Sequence, residues 1–426
     1  MADLLDLSAR IIDSGVADEP VNRVTHELSE LADGLAIVES FSHSVVLDCG
    51  DGLVAFDASH AMSGAKVVEA IGGWRSTPVT HLVYTHGHAD HVGGSVDFAS
   101  AYGEMSVVGH RNVDRRFDRY SYTNDWNVLI NARQFGGVRG DLGMGNRDRE
   151  FIPTATRRPT HVVDDHDTIV VGDRTIELHH ARGETDDHLW GWMPDQKWLF
   201  TGDFVIWNFP NAGNPQKVQR YPIEWAAALR AMIARQPELL LPAHGLPIEG
   251  RERIAGVLTD IADALDGLVV DVVEMMNAGE VLDTIIHSVK AADSVLEKPY
   301  LRPFYDEPEF VVRNIWRQFG GWWDGAPSRL KPAPDAVLAS EIAELAGGAG
   351  VLSDRAAELS DAGDHRLACH LADLAGWSAP DDAAIHRTRA IVYRARRKAE
   401  TSLMSKGIYA GAARESEAIV GATESA

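Results

Sequence analysis

Thr85-His86-Gly87-His88-Ala89-Asp90-His91-Val92-Gly93-Gly94 puts three histidines and one aspartate within six residues. The segment just before it, Thr80-His81-Leu82-Val83-Tyr84, is short and β-rich, so the polar residues sit on a loop leaving a strand. On an extended segment His86 and His88 point the same way, and both imidazoles can meet one metal. Asp90 and His91 follow after the chain turns and can reach a second metal nearby. Imidazole and carboxylate together suit Zn, Mn or Fe(II), not Ca. The plainer alternative is a polar loop that happens to be rich in histidine. The dense spacing argues against it, as do the ligand candidates downstream.

Those candidates come in three places. His179-His180-Ala181-Arg182-Gly183-Glu184-Thr185-Asp186-Asp187-His188 follows a strand-like run, Thr175-Ile176-Glu177-Leu178. Trp198-Leu199-Phe200-Thr201-Gly202-Asp203 is a strand ending in an aspartate, and Leu239-Leu240-Leu241-Pro242-Ala243-His244 is a strand delivering a histidine. Taken singly, each has a plainer explanation: strand-end hydrogen bonding for His179 and His180, a surface acid for Glu184, a lone histidine at His244.

The first motif resembles the His-x-His-x-Asp-His signature of the metallo-β-lactamase superfamily, and the later ones fall in that family's order. The superfamily usually has His-Thr-Pro-Gly-His-Thr where this chain has His180 to Thr185. Glu184 then takes the position of a histidine ligand. A carboxylate there is a departure that the alkylsulfatase branch shares. Thr201-Gly202-Asp203 matches the Thr-Gly-Asp motif whose carboxylate bridges two metals, and Asp203 lies nineteen residues after Glu184, the branch's interval. The branch has a Glu there, in an Ala-Glu-Asn context. The resemblance runs from about Ser29 to about Gly411 and includes the helix-to-turn segment Phe310 to Gly325, which contains Trp322-Trp323-Asp324-Gly325. Full-length alkylsulfatases carry a third, sterol-carrier-like domain beyond the point where this chain ends. They also follow the second carboxylate with His-Asn and Arg-Gly. Here Asn208 to Arg220 fills that place, and only Arg220 keeps an arginine position.

The resemblance implies an α/β fold, a metallo-β-lactamase αββα sandwich with a C-terminal all-helical domain. The expected division is 1–260 for the metal-binding domain and 261–426 for a helical dimerisation domain. It implies two divalent metal ions per chain, Zn first, with Fe or Mn possible. His86, His88 and Glu184 would hold one ion; Asp90, His91 and His244 would hold the other; Asp203 would bridge them. The expected activity is hydrolysis by a metal-bound hydroxide, with Asp90 and Asp203 catalytic and Asp90 able to take the water's proton. His180, His188 and Tyr221 are candidate acids for the leaving group. In the family an aspartate at the place of Asp57 braces the metal loop; as a bare feature it is equally a loop cap. The first expected substrate is a sulfate ester, and the alternative is an acyl-CoA thioester or another ester. A third reading, from another class, is a di-iron protein that does not hydrolyse. It normally comes with a flavodoxin or rubredoxin partner domain.

Composition sets outer limits. At 426 residues, 45% hydrophobic and 24% charged, the chain suits a soluble protein of two domains. Its formal charge of −23 argues against nucleic acid or an anionic membrane as partner, while a small anionic substrate needs local positive charge. Two cysteines, Cys49 and Cys369, make no disulfide framework and suit a reducing compartment, so a cytoplasmic location is expected. No signal peptide is visible at Met1 to Asp6 and no membrane insertion is expected.

Read in order, the first 30 residues are helical and acidic. Strands are expected at 36–40, 44–48, 53–57, 80–84, 106–110, 168–171 and 175–178, with a hairpin turn at Gly50-Asp51-Gly52. From Arg111 to about Pro159 the pattern becomes irregular and dense in arginine: Arg111, Arg115, Arg116, Arg119, Arg133, Arg139, Arg147, Arg149, Arg157 and Arg158. Either these pair with local acids in a solvated loop, or the segment is a lid in which Arg115 and Arg116, with Arg220, bind an anionic substrate. Beyond Ile248 helical periodicity takes over, at 254–276, 282–292 and then 336–346, 354–362, 364–375 and 382–406. Apolar faces on short helices need a partner, so a homodimer through the region after Phe310 is expected. The tail from about Ser416 is expected to fray.

Overall fold

The computed structural model describes residues 4–135 and 150–424. Arg139, Arg147, Arg149 and the Gly136–Gly140 run lie outside the described residues. The chain forms two compact units, Met1–Asn127 with Arg149–Gly321, and Val128–Asp148 with Trp322–Ala426.

The first unit holds two sheets. β1 (Leu28–Ala32), β2 (Leu35–Val38), β3 (Ser44–Asp48), β4 (Leu53–Phe56), β5 (Val79–Val83), β6 (Ser106–His110) and β7 (His161–Val163) lie side by side in chain order. The first four are antiparallel and β4 to β7 run parallel. β8 (His166–Val171), β9 (Arg174–His180), β10 (Leu189–Met193), β11 (Trp198–Gly202), β12 (Leu239–Pro242) and β13 (Ile248–Glu249) form the second sheet in the order 13-12-11-10-9-8. Only its β11–β12 pair is parallel.

Alternation along the strands builds the layers. Leu35, Ile37, Val45, Leu47, Val54 and Phe56 join a core with Ile176, Leu178, Leu199 and Leu240 of the second sheet. Phe56 stacks on Phe200 between the sheets, centroids 4.1 Å apart. The alternate residues Val38, Val46, Leu53 and Ala55 pack instead with Val67, Ile71 and Phe98 from helices Gly64–Trp74 and Ser95–Tyr102. Helices Pro222–Ala234 and Arg251–Asn277 cover the second sheet through Leu229, Leu258, Ile261 and Leu265. The expected αββα sandwich is therefore present, and the helical C-terminal domain with it.

The expected boundary at 260/261 can be set beside the elements. It falls inside helix Arg251–Asn277, whose Leu268 and Val272 still belong to the core of the first unit. That unit closes at Gly321. Two further expectations change, and one strand had no reading in the sequence. Residues 111–134 are helices Asn112–Tyr122 and Asn124–Gln134, not irregular loop; Val113, Phe117 and Tyr120 form the buried stripe of the first. β10, Leu-Trp-Gly-Trp-Met, is buried at every position and so shows no alternation to read. Ser416 is fully buried on helix Leu403–Glu424, so the tail from there does not fray as expected.

The second unit is helical: Asp335–Ala346, Ala349–Asp361, His365–Ser378, Ala383–Ala399 and Leu403–Glu424. Small residues bring these helices close, with Ala356, Ala368 and Ala372 buried around Val392, and Ala343 and Ala375 around Ile385. Asp364 and Asp382 cap two of them by accepting Leu367 N–H and the Ala384 and Ile385 N–H groups.

Candidate metal centre

Every candidate ligand lies just past the C-terminal end of a strand, on the first unit. β5 delivers His86 to His91, β9 leads into Glu184, β11 ends before Asp203, and β12 ends before His244. Two tight places make this possible. Gly202 has φ +53°, and a Cβ on it would lie 2.6 Å from the His188 ring. Gly87, between two ligand candidates, leaves room for Arg116 and Asp187, each of which would lie 2.9 Å from a Cβ there.

The seven residues form two groups. His86, His88, Glu184 and Asp203 can place one ligand atom each within 4.8 Å of one another, and so can Asp90, His91 and His244. Within the first group His86 Nε2 is 3.8 Å from Asp203 Oδ2, and His88 Nδ1 is 3.5 Å from Glu184 Oε1. In the second, His244 Nε2 lies 3.5 Å from Asp90 Oδ2, and His91 Nε2 lies 3.6 Å from the same oxygen. The other Asp203 oxygen, Oδ1, is 3.4 Å from His91 Nε2 and 3.5 Å from His244 Nε2. Asp203 thus turns one oxygen to each group. Ligand atoms about 2.0–2.2 Å from a tetrahedral ion sit roughly 3.3–3.6 Å apart, close to these separations.

The donor set fits divalent cations for a second reason. His91 Nε2 and Asp203 Oδ1 are fully buried and have no hydrogen-bond partner. Such pairs of orphaned polar atoms are costly unless something positive lies between them. Burial alone would lower the His91 imidazole, yet the carboxylates of Asp203, Asp57 and Asp90 hold it well above its ordinary value. Three carboxylates gathered around one imidazole favour positive charge at this place.

The braces around the ligands are as informative. Asp57 accepts Thr85 N–H at 2.8 Å and the Thr85 hydroxyl at 2.7 Å. It also takes His91 Nδ1–H at 2.8 Å, which leaves Nε2 as the lone pair facing Asp203. Asp57 is therefore a brace and not merely a loop cap. Asp187 Oδ2 accepts Gly87 N–H at 3.1 Å and Arg116 Nε–H at 2.7 Å. Burial would push the Asp187 carboxyl up, but the Arg116 guanidinium holds it well below the usual carboxylate range. Glu184 is gripped by Asn211 Nδ2, which donates to Oε1, and by Arg220, which donates to its backbone carbonyl and lies 3.3 Å from Oε1.

Two of the expected substrate residues have partners within the chain. Arg116 is buried, and its charge is held by Asp186 and Asp187 behind the metal loop. Arg220, also buried, is spent on Glu184. Arg115 is exposed on helix Asn112–Tyr122. Several other arginines pair with nearby acids: Arg111 with Asp164, Arg157 with Glu104, and Arg158 with Asp114 and Asp118. Of the candidate acids, His188 is buried, stacks on His86 and accepts Asp203 N–H at 3.1 Å, and burial pushes its imidazole down to about 4. It orients Asp203 by accepting its backbone N–H. His180 meets the Asp186 carbonyl at 3.0 Å and stacks on His110, and Tyr221 packs under Arg182. Asn211, Asp187 and Asn314 were not visible as site residues in the sequence. Asn314 donates to Arg220 O at 2.9 Å from helix Pro308–Gly320.

Residues 37–244 match the model of the metallo-beta-lactamase superfamily, and residues 281–418 match that of alkyl sulfatase dimerisation. A linear primary-alkylsulfatase of a Pseudomonas species is 26% identical over 78% of this chain and 65% of its own length. The alkyl/aryl-sulfatase BDS1 of Saccharomyces cerevisiae is 24% identical over 72% of this chain and 50% of its own. The chain thus spans from half to about two-thirds of these relatives. Among solved structures, the stereoselective inverting sec-alkylsulfatase Pisa1 from Pseudomonas sp. superposes with a TM-score of 0.81 at 21% identity, over 92% of this chain and 66% of that one.

Proposed function

The chain carries a metallo-β-lactamase superfamily domain followed by an alkylsulfatase dimerisation domain, and from that premise we propose that it is a binuclear metal-dependent hydrolase of sulfate esters. The observation that carries the reading is Asp203, one carboxylate turned to two ligand groups. His86, His88 and Glu184 would hold one divalent ion, and Asp90, His91 and His244 the other. Bound there, the ions would supply Lewis acidity and make an attacking water more acidic.

The chain's own residues do the rest. Asp57 and His188 fix which nitrogen of His91 and which face of Asp203 point inward. Phe56, Phe200 and Phe204 back the site with apolar surface, so its charges act in a low dielectric. Asp90, His88 and His244 are the partly exposed members, so the substrate enters on their side. Asp90 is the carboxylate there that can accept the proton of the attacking water. Zn is the favoured metal, though three carboxylates among seven ligands also suit Fe or Mn.

The test pairs metal analysis with substrates. Protein purified without chelators should contain two divalent ions in the centre and hydrolyse dodecyl sulfate, with activity lost on chelation and restored by Zn²⁺. Turnover of acyl-CoA with none of alkyl sulfates would replace the substrate class by thioesters and leave the centre standing. The second unit is proposed as a homodimer surface. Its helices expose Leu345 at 81%, Ile391 at 62% and Val337 at 60%, more apolar surface than a lone helical unit needs. Light scattering at micromolar concentration should give twice the chain mass, and a monomer would overturn this part.

A further inference from the structure

Well apart in sequence from the motif at 85–94, the edge of the second sheet carries another group of ligand-type residues: His166, Glu177 and His179. β8 is the last strand of that sheet, and it pairs with β9 in antiparallel register, His166 opposite His179 and Thr168 opposite Glu177. The inward residues of β9 are Ile176 and Leu178, both buried, so Glu177 and His179 share the outward face. On β8 the buried residues are Ile169 and Val171, which puts His166 on that same face. Directly opposed residues of an antiparallel pair bring their side chains together, and a residue two positions along comes within reach of both. The two imidazoles accordingly lie 4.7 Å apart, and His179 Nε2 is 3.1 Å from Glu177 Oε2. All three can offer a ligand atom within 4.8 Å of one another.

The next strand holds the trio still. Trp190 of β10 is the partner of His179 across the ladder and stacks on its ring at 4.2 Å, nearly parallel. A stacked ring has lost its rotamer freedom before any ion arrives, which lowers the cost of coordination. One residue opposes a cation. Arg235 places Nη1 3.4 Å from Glu177 Oε2 and Nη2 3.4 Å from His179 Nε2. With Arg235 in place, His179 Nε2–H faces the Glu177 carboxylate at 3.1 Å, and an ion taking the seat would displace that proton as well as the guanidinium. The guanidinium occupies the seat as an internal cation, from a side chain 40% exposed and free to swing into solvent.

We propose that His166, Glu177 and His179 form a third divalent transition-metal site, separate from the binuclear centre and in competition with Arg235. Two imidazoles and one carboxylate with open positions suit Zn²⁺, Ni²⁺ or Cu²⁺ and exclude Ca²⁺ and Mg²⁺, which take oxygen. An ion there ties the edge strand to its neighbour. It also adds a third equivalent to any metal count, which bears directly on how two ions per chain would be measured. The site does not depend on the sulfatase reading.

The test uses the full chain stripped of metal and titrated with Zn²⁺ against a chromophoric chelator. Wild type should bind three equivalents, the third weakest. H179Q and H166Q, both on the solvent face and conservative in size, should each lose that third equivalent and keep the other two. R235A should bind the third ion several-fold tighter than wild type. Stoichiometry equal in wild type and H179Q would overturn the site, and so would an R235A variant that binds no tighter. H88A should lose one of the two tighter equivalents and keep the third, so the two metal assignments fail or stand independently.

Discussion

The two halves of the proposed metal centre are held in different ways. His91, in the half with Asp90 and His244, is fixed from within the sandwich by Asp57 at the end of β4 and by Ser42, whose hydroxyl lies 3.1 Å from His91 Nδ1. These braces sit within 50 residues of the ligand, on loops at the ends of strands of the first sheet. Glu184, in the half with His86 and His88, is fixed by Asn211 and Arg220, on a long segment between β11 and helix Pro222–Ala234. That segment is itself tied to later chain. Asp306 accepts Gly213 N–H at 2.7 Å, and Asn314 bonds the Arg220 backbone. A Cβ on Gly213 would lie 2.2 Å from Val311 N, so the two strands of chain touch backbone to backbone. One half is thus a property of the sandwich, and the other reaches into the helix at 308–320, beyond the superfamily match and inside the dimerisation match.

The largest expected effect comes from the residue the halves share. Asp203→Asn removes a buried charge that faces both groups. Both ions should bind at least tenfold more weakly, and alkyl sulfate turnover should fall roughly a thousand-fold, since several kcal/mol of charge stabilisation are lost. Metal content by mass spectrometry and initial rates check it. Two tightly held ions and most of the rate would mean that Asp203 does not bridge.

A paired experiment separates the halves. Asp57→Asn removes the acceptor that fixes the His91 tautomer, and losing the hydrogen-bond partner of a metal-binding imidazole typically costs about 10–100-fold in affinity. The loss should fall on the ion of the Asp90 half. Arg220→Ala should instead weaken the ion of the Glu184 half, and should also destabilise the fold, because removing one member of a buried pair costs about 3–5 kcal/mol. H88A and H244A supply the reference titrations for each half. If both variants weaken the same ion, the division into halves is wrong.

The contrast between the halves also explains what the sequence disclosed. His86, His88, Asp90 and His91 are readable because one strand end delivers them all, so chemistry and spacing coincide within six residues. Glu184, Asp203 and His244 are readable because each follows a β-run. The braces are not. Asn211 meets Glu184 across 27 residues, Asp187 meets Gly87 across 100, and Asn314 meets Arg220 across 94. No local pattern marks such pairs, because only the packed sheets bring them together. Arg116 and Arg220 misled for the same reason. An arginine in an acidic chain looks available until its buried carboxylate is seen. The helix Asn112–Tyr122 was legible in principle: Val113, Phe117 and Tyr120 keep the i, i+4, i+7 spacing, beneath a surface crowded with arginine.

The smallest expected effect sharpens the comparison most, because it acts from furthest away. Asn314 lies on helix Pro308–Gly320 and touches no ligand. Its Nδ2–H group donates to Arg220 O at 2.9 Å, and its Oδ1 accepts Arg220 N–H at 3.4 Å and Arg317 Nη2–H at 3.1 Å. Asn314→Ala takes the acceptor from the buried Arg220 N–H and leaves Arg220 O to Gln219 Nε2 alone, at a cost of about 1–3 kcal/mol. Part of that cost appears as lost stability and part as a looser Arg220, which then grips Glu184 less well. The ion of the Glu184 half should bind a few-fold more weakly, while the ion of the Asp90 half, braced through Asp57, should be unchanged. Stepwise Zn²⁺ titration of this variant beside wild type, H88A and H244A measures both. A shift confined to the Glu184 half would tie metal affinity to the helix at 308–320. Equal weakening of both ions would make the effect general loosening of the fold, and no weakening of either would leave Arg220 held without Asn314.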